Sequence, residues 1–291
     1  MKKKIAAIAL ATIMAVGAFG CGGSGGAASS AAGSSAAGSS AAGSSAAGSS
    51  AAASSAAASS AASSAAKDKY IIATDTAFAP FEYEDSTGKR LGIDMDLMEA
   101  IAKDQGFKYE IKALGFDASL QALEAGQCDG VIAGMSITDK RKEKFDFSEP
   151  YYNVPVTIAV KADATIASLD DLKDKNVAVK KGTTGATFAE SIKDKYNLKI
   201  TVFDDSPTMY QEIQVGNSVA CFEDFPVMAY AIKENKSLKL KVVEAVKEME
   251  TPYGFAVKKG QNPELIEKFN AGLANIKKNG VFDEIINRYT K

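Results

Sequence analysis

The segment Asn176-Val-Ala-Val179, followed by Gly182-Thr-Thr-Gly185, decides the fold of this chain. Its first four residues are typical of a short buried strand, and the glycine-flanked threonines lead into a helix predicted from Ala186 to Tyr196. Because a similar series of strand, loop and helix has already begun at Tyr70, the α/β pattern occurs twice in one chain. The sequence therefore predicts two α/β lobes.

The first series alternates strand and helix along the chain. Its predicted elements are a strand at 70–73, a helix from Asp94 to Gly106, a strand at 109–112, a helix at 120–125 and a strand at 130–134. This order favours a largely parallel sheet with helices on its faces. In such sheets the loops at the carboxyl ends of the strands are the usual place for a ligand.

The second series repeats this alternation and then continues to the end of the chain. Strands are predicted at 176–179, 199–203, 218–222 and 239–243, with helices at 186–196, 208–216 and 226–234. A strand at 254–257 and two helices, 263–280 and 281–289, follow. Each of the two series is long enough to bury a core of its own.

The composition excludes several classes of function. The 291 residues include no histidine, so a Ser-His-Asp or Cys-His nucleophile, a histidine-ligated zinc and a histidine pH switch are all impossible. The net charge of −2 lacks the basic excess expected of a nucleic-acid-binding protein. Apart from Lys2, Lys3 and Lys4, every charged residue lies between 67 and 291.

The N-terminal residues have the pattern of an export signal. Residues 2–4 are basic, and residues 5–19 form an uncharged, mostly apolar run that is too short to span a membrane. The segment Ala18-Phe-Gly-Cys21 resembles a bacterial lipobox, which predicts a signal peptide at 1–20 and lipid attachment at Cys21. The alternative is a plain secretory signal with an incidental cysteine.

Residues 22–66 contain only glycine, alanine and serine. Such a tract has no apolar face to bury, so the sequence predicts a flexible tether over 21–66. At about 5 to 6 Å times the square root of its length, the tract would hold the folded part about 35 to 40 Å from a membrane.

Six segments of the folded part occur in a characteristic order. They are Asp75–Glu82, Gly92–Leu97, Gly134–Arg141, Phe145–Tyr151, Gly182–Gly185 and Tyr253–Val257. In this order they resemble the extracytoplasmic amino-acid-binding proteins of ABC importers, the glutamine-binding branch in particular. The likeness covers essentially all of 68–291.

The resemblance implies a two-lobed, type II periplasmic-binding-protein-like fold in which each lobe is a mostly parallel sheet flanked by helices. It places two hinge strands near 152–155 and 250–253. The first lobe would then comprise 67–154 with 253–291, and the second lobe 155–252. It also implies a monomer outside the cytoplasm, anchored by its lipid, that delivers its ligand to the permease subunits of an importer without any cofactor.

A free amino acid needs a partner for its buried carboxylate. Arg141 follows the strand at 130–134 by one loop, and a guanidinium can grip a carboxylate with two hydrogen bonds. Thr183 and Thr184 begin a helix, where free N–H groups and the helix dipole favour an anion. The alternatives are a surface arginine and a threonine that only caps its helix.

The ammonium of the ligand needs acceptors. Asp224 is predicted just past the strand at 218–222, and Ser136 with the carbonyl of Gly134, next to Ala133, would supply the rest. An acid in this position is often only a helix cap, which remains open for Asp224. By the resemblance Asp224 binds the α-ammonium, whereas Glu223 replaces a histidine found in some glutamine-binding relatives, so side-chain selectivity stays open.

The resemblance places the ligand side chain between Phe78 and Phe116, two rings on separate loops of the first lobe. If Asp75 and Lys180 both reach the far end of the pocket, their charges cancel and a carboxamide fits, because it donates to the acid and accepts from the amine. This favours glutamine. Arginine or lysine becomes the alternative if Glu223 makes the site negative, and Lys181 replaces Lys180 if the register differs by one.

The remaining cysteines, Cys128 and Cys221, follow no metal or redox spacing and are predicted to be buried thiols. We therefore expect a binding protein without catalytic residues or a metal, which captures its ligand by hinge closure. The rival is an enzyme on the same scaffold, since a few relatives dehydrate cyclic amino-acid precursors with a cleft carboxylate.

Overall fold

The structure, a computed structural model, describes Lys67 and residues 69–291. The predicted signal peptide at 1–20, the lipid attachment at Cys21 and the tether at 21–66 lie outside these residues. Among the helices that are described, none has the length and apolar character needed to cross a bilayer.

The described residues form thirteen strands and eight helices. The strands are β1 Tyr70–Thr74, β2 Tyr83–Glu84, β3 Arg90–Leu91, β4 Tyr109–Ala113, β5 Gly130–Val131, β6 Phe145–Phe147, β7 Tyr152–Lys161, β8 Asn176–Lys180, β9 Lys199–Phe203, β10 Ala220–Asp224, β11 Leu240–Val242, β12 Glu248–Tyr253 and β13 Ala256–Lys258. The helices are α1 Ile93–Gln105, α2 Phe116–Glu124, α3 Asp139–Lys142, α4 Thr184–Tyr196, α5 Ser206–Val215, α6 Phe225–Glu234, α7 Pro263–Lys278 and α8 Val281–Thr290.

Two sheets organise the fold. The first has the strand order β4-β1-β5-β13-β6, and together with α1, α2, α3, α7 and α8 it is called the first lobe below. The second has the order β11-β7-β10-β8-β9, and together with α4, α5 and α6 it is called the second lobe. The short ribbon of β2 and β3 stands apart from both sheets.

The sheets are mixed, where the sequence predicts mostly parallel ones. β1 pairs in parallel with β4 and β5, but β13 pairs antiparallel with β5 and β6. In the second sheet, β8 pairs in parallel with β9 and β10, while β7 runs antiparallel to β10 and β11. Within these sheets β13 and β7 run opposite to their neighbours.

The chain passes between the sheets twice, along β7 and along β12. These two strands pair antiparallel, with Tyr152 opposite Tyr253 and Val154 opposite Thr251. The register shifts between Glu248 and Thr251, so the ladder of the return strand is interrupted in its first half. The two crossing strands thus lie side by side rather than at separate edges of the molecule.

Helix α1 illustrates how the sequence positions the first lobe. Gly92 precedes it with φ 128°, and a Cβ there would lie 2.1 Å from the carbonyl oxygen of Phe81, so only glycine fits. Its apolar stripe is buried against α7, whose own buried residues recur at helical spacing: Leu265, Phe269, Leu273 and Ile276. Each such fully buried side chain contributes about 1.5–3 kcal/mol, which anchors the helix layer behind the sheet.

Candidate functional site

One cavity between the two lobes is lined by all eleven residues that the sequence predicts to contact the ligand. They are Asp75, Phe78, Phe116, Ala133, Gly134, Ser136, Arg141, Lys180, Thr183, Thr184 and Asp224. The cavity measures about 10 Å³, roughly the space for one water. It lies where loops that follow strands of both sheets meet.

The far end of the cavity is closed by an ion pair between the lobes. Asp75 follows β1 and Lys180 ends β8, and the ammonium of Lys180 donates directly to the carboxylate of Asp75. Their side chains are only 1% and 2% exposed. The neighbouring Lys181 instead lies at the surface, where it pairs with Asp117 at 2.8 Å. The structure therefore turns Lys180, and not Lys181, into the cavity.

Arg141 bridges the two lobes from α3. Its guanidinium donates to the carbonyl oxygen of Ser136 at 2.7 Å and to that of Gly182 at 3.0 Å, and it lies 5.2 Å from the ring centroid of Phe116. Desolvation lowers the pKa of Arg141 to about 10, so the group stays charged at neutral pH. Among the described residues no carboxylate pairs with Arg141, and its two donating nitrogens lie at the wall of the cavity.

The beginning of α4 supplies backbone donors. The Thr183 hydroxyl accepts from the N–H of Ala186 at 3.1 Å and donates to the carbonyl of Lys180 at 2.7 Å, so this side chain does cap the helix, as the simpler alternative holds. The N–H groups of Thr184 and Gly185 have no partner within the helix, as expected at a helix N-terminus. They are available to an anion in the cavity.

Asp224 ends β10, which runs two residues further than the sequence predicts because its pairing with β7 extends to this residue. It occupies the cap position of α6, but its side chain makes no capping hydrogen bond. The hydroxyl of Tyr253, from the return crossing, donates to it instead. Burial and then the neighbouring charge of Glu223 raise the pKa of Asp224 to about 7.

Glu223 lies beside the site but does not line the cavity. Its carboxylate accepts from the hydroxyl of Ser206 at 2.7 Å, from the hydroxyl of Tyr210 at 2.9 Å and from the N–H of Asp224 at 3.0 Å. Burial raises the pKa of Glu223, while Lys180 and these hydrogen bonds lower it. The residue is therefore held on the far side of β10, with its acceptor atoms already used.

The two predicted aromatic rings both line the cavity, and each faces a cation. Phe78 lies 4.6 Å from the ammonium of Lys180, measured to the ring centroid, just as Phe116 faces Arg141. Phe116 begins α2 and does not lie on a loop, because the helix starts directly after Gly115, four residues earlier than predicted. The ring is thereby fixed by a helix N-terminus.

Gly134 and Ser136 form the wall that faces the second lobe. Gly134 has φ +51°, and a Cβ there would lie 2.6 Å from the ring of Phe78, so the position requires glycine. The hydroxyls of Ser136 and Thr184 approach to 3.5 Å across the cleft. A close fit between the lobes thus depends on small residues in this wall.

The sequence did not predict several residues that lie beside the site. The partners of Asp224 and Glu223 belong to two other elements: Tyr253 to β12, and Ser206 and Tyr210 to α5. Their hydroxyls carry no distinctive spacing, so only the folded chain brings them together. A buried acid at the end of a strand does signal that such donors exist, since it must be satisfied.

The charges that line the cavity balance. Arg141 and Lys180 are opposed by Asp75 and Asp224, with one acid and one base from each lobe. Arg141 and the start of α4 suit a carboxylate, and Asp224 suits an ammonium. No cluster of the described residues can hold a metal ion. Both described cysteines, Cys128 and Cys221, are buried and unbridged, as the sequence predicts.

Two α/β lobes joined by paired crossing strands, with a charge-balanced cavity between them, define the class of type II periplasmic binding proteins. The chain belongs to family 3 of the bacterial extracellular solute-binding proteins, whose sequence pattern matches residues 70–291.

Relatives of known name agree with this assignment. A probable histidine-binding protein of Neisseria gonorrhoeae is 34% identical over 221 residues, which cover 76% of this chain and 82% of that protein. An ancestral arginine-binding protein, solved with glutamine bound, is 38% identical with a TM-score of 0.72, covering 77% of this chain and 98% of the other. A structure of it with arginine bound has the same identity and TM-score.

A third similar structure has a higher sequence identity but a lower TM-score. Substrate-binding domain 2 of GlnP from Lactococcus lactis, solved in an open conformation, is 43% identical and covers 78% of this chain and 97% of that chain. Its TM-score is 0.54, lower than that of the ancestral protein in spite of the higher identity.

Proposed function

We propose that this protein captures a free L-amino acid, with glutamine favoured, by closing its two lobes around it, and delivers it to a membrane ABC importer. The observation that carries the proposal is the charge-balanced cavity, to which both lobes contribute a cation and an anion. Such a site matches the two opposite charges of an amino acid and leaves the Asp75–Lys180 pair for its side chain.

Closure is supported by the contacts that join the lobes. Arg141 donates to Gly182, Lys180 pairs with Asp75, and Lys181 pairs with Asp117, each across the cleft. An amino acid is far larger than a cavity of about 10 Å³, so the lobes must separate to admit it. Ligand contacts made with both lobes then stabilise the closed form through differential affinity.

Glutamine is favoured by the ion pair at the far end of the cavity. A carboxamide can donate to Asp75 and accept from Lys180, and it inserts between them without changing the net charge. A cationic side chain would have to compete with Lys180 for Asp75, and an acidic one would face Asp75 directly. Glu223 adds little to this end, because it lies outside the cavity with its acceptors used.

Arginine or lysine is the second candidate ligand. The observation that favours it is the buried carboxyl of Glu223. The charge of Lys180 lowers the pKa of this carboxyl, so the two groups interact, and an ionised Glu223 would make the region negative. The ancestral neighbour has been solved with either glutamine or arginine, so one site of this kind accepts both.

We further propose the arrangement of the whole chain. Residues 1–20 would be a signal peptide, Cys21 the lipid-bearing mature N-terminus and 21–66 the tether. The lobes would comprise 67–154 with 253–291, and 155–252, in a monomer anchored outside the cytoplasm. Mass spectrometry of the mature N-terminus tests the lipid, and an unmodified Cys21 would contradict it.

A thermal-shift screen of the purified protein against the common amino acids, followed by calorimetry, tests the function. We expect glutamine to raise the melting temperature through mass action. If arginine or lysine raises the melting temperature and glutamine does not, cancellation of charge between Asp75 and Lys180 does not select the ligand. If no amino acid shifts the melting temperature, the proposed binding function is wrong. Dehydration of a cyclic amino-acid precursor added to the protein would favour the dehydratase alternative.

The pH dependence of binding should follow Asp224. Its pKa of about 7 means that the carboxyl is protonated below that pH, and a neutral carboxyl cannot pair with the ligand ammonium. We therefore expect affinity to fall as pH drops below 7, by up to about tenfold per pH unit. Calorimetry in buffers of different ionisation enthalpy should show proton release on binding near neutral pH.

The matched variant for this prediction is Asp224→Asn, which keeps the shape but cannot titrate. Its residual binding should be weaker and should release no proton at the same pH. Wild-type affinity that is unchanged between pH 6 and pH 8, on either side of the pKa of about 7, would contradict the assignment of Asp224 to the ammonium.

A further inference from the structure

Two carboxyl groups are buried behind the cavity without a basic partner. Glu82 and Asp94 are both 0% exposed, and neither lines the cavity. Among the buried side-chain atoms of the described residues, both oxygens of Glu82 and Oδ1 of Asp94 lack a conventional hydrogen-bond partner. Unpaired buried carboxylates are costly, so this pair requires a physical explanation.

The backbone brings the two carboxyls together. Glu82 closes a tight turn, since it pairs with Phe78 in an isolated bridge, and the N–H of Asp94 donates to the carbonyl of Phe81 at 2.9 Å. The side chains of Glu82 and Asp94 lie within hydrogen-bonding reach of each other. Two ionised carboxylates are acceptors only, so they cannot satisfy one another unless a proton lies between them.

The charged surroundings favour retention of that proton. Burial, followed by the charges of Asp94 and Asp75, raises the pKa of Glu82 well above its usual range, and Lys180 opposes this. Burial also raises the pKa of Asp94 to about 7, although the Gly134 N–H and the Tyr151 hydroxyl donate to it and stabilise its ionised form. Of the two carboxyls, Glu82 is therefore the one that holds the proton.

The pair touches the ligand cavity through Gly134. Oδ2 of Asp94 accepts from the N–H of Gly134 at 2.7 Å and from the hydroxyl of Tyr151 at 3.0 Å. The peptide of Gly134 forms part of the cavity wall, and Phe78 at the start of the tight turn forms another part. Tyr151 immediately precedes the crossing strand β7, so the pair also reaches the connection between the lobes.

We propose that Glu82 and Asp94 share one proton and act together as positioning residues for the ligand site, Asp94 by holding the Gly134 peptide and Glu82 by keeping Asp94 satisfied. The ligand part of this inference rests on the proposed function, whereas the shared proton does not. The pair contacts no ligand atom, and its effect passes through Gly134 and Phe78.

The sign of the pH effect follows from the raised pKa of Glu82. Its proton is bound more tightly in the folded protein than in the unfolded chain, so the contribution to stability is present at low pH and is lost as pH rises through the folded pKa. Loss of the proton leaves two buried negative charges beside Asp75, with Lys180 as the nearby cation and the Tyr151 hydroxyl as a donor. A rise in pH through the folded pKa of Glu82 should therefore loosen the Phe78–Glu82 turn.

The first test needs no ligand. The infrared carbonyl band of protonated carboxyls should be weaker in Glu82→Gln, whose amide still donates to Asp94, than in the wild-type protein at neutral pH, where Asp224 contributes to the same band. Glu99→Gln, an exposed acid on the same helix as Asp94, is the matched control and should keep the band. A wild-type spectrum without this band, or one unchanged in Glu82→Gln, overturns the shared proton.

The second test measures positioning. Asp94→Ala should shift the amide-proton resonance of Gly134 upfield, because a charged acceptor is lost, and should weaken binding of whichever amino acid the screen identifies by about tenfold. Glu82→Gln should keep both close to wild type and flatten the loss of stability with rising pH. An unchanged Gly134 resonance in a folded Asp94→Ala protein overturns the positioning role, whatever the ligand proves to be.

Discussion

The variant Arg141→Ala is expected to lose measurable amino-acid binding while remaining folded. The guanidinium lies in the cavity wall, and in the proposed function it is the cation that receives the ligand carboxylate. Removing one partner of a buried charged pair costs about 3–5 kcal/mol, or about 150- to 4,000-fold in affinity. Calorimetry with the ligand found by the thermal-shift screen measures the loss.

The structure offers two controls for this result. Lys140→Ala removes an exposed neighbouring charge on the same short helix and should leave the affinity within a few-fold of wild type. Arg141→Lys retains the charge but not the two-pronged donor geometry, so it should bind with intermediate affinity. If Arg141→Ala bound the ligand within tenfold of wild type, Arg141 would not be the carboxylate partner.

Local signals, together with the resemblance to amino-acid-binding proteins, predicted Arg141 and its ten companions. Strands that end in glycine or a polar residue locate the loops at the sheet edges, and the glycine-flanked threonines locate a helix N-terminus. The order of the six short segments then indicated which residues of these loops would contact the ligand. These signals depend on residues close together in the chain, so they survive without knowledge of the tertiary structure.

Contacts between distant segments could not be predicted in the same way. Asp75 and Lys180 are 105 positions apart, and their direct pairing depends on how the lobes meet. The carboxyl pair of Glu82 and Asp94 gave no sequence signal, because single acids near turns and helix starts are common. Tyr253 reaches Asp224 only because the crossing strands lie side by side.

Strand β10 ends at a different residue from the one predicted, because pairing with a neighbouring strand decides where it ends. The sequence ended the strand before Glu223, but pairing with β7 carries β10 through Asp224. This shift turns Glu223 and Asp224 to opposite faces of the strand, since side chains alternate along it. Glu223 therefore faces away from the cavity, and under the proposed function the Asp75–Lys180 pair determines selectivity.

The variant Lys180→Met should change which amino acid is preferred. It removes the only charge that pairs directly with Asp75 among the described residues and leaves that carboxylate buried without a partner. A ligand with a cationic side chain would supply the missing charge, whereas glutamine would lose its donor. We expect the ratio of arginine to glutamine affinity to rise by about 10²-fold or more, measured by calorimetry with both ligands.

Lys181→Met is the matched control, because it makes the same substitution one residue further along the chain. Lys181 is half exposed and pairs with Asp117 at the surface, so the preference should change by less than about fivefold. If Lys180→Met kept the wild-type preference, cancellation of charge would not select the ligand. If instead the wild type already preferred arginine and Glu223→Gln abolished that preference, the buried carboxyl of Glu223 would be the group that sets it, through its charge rather than through contact.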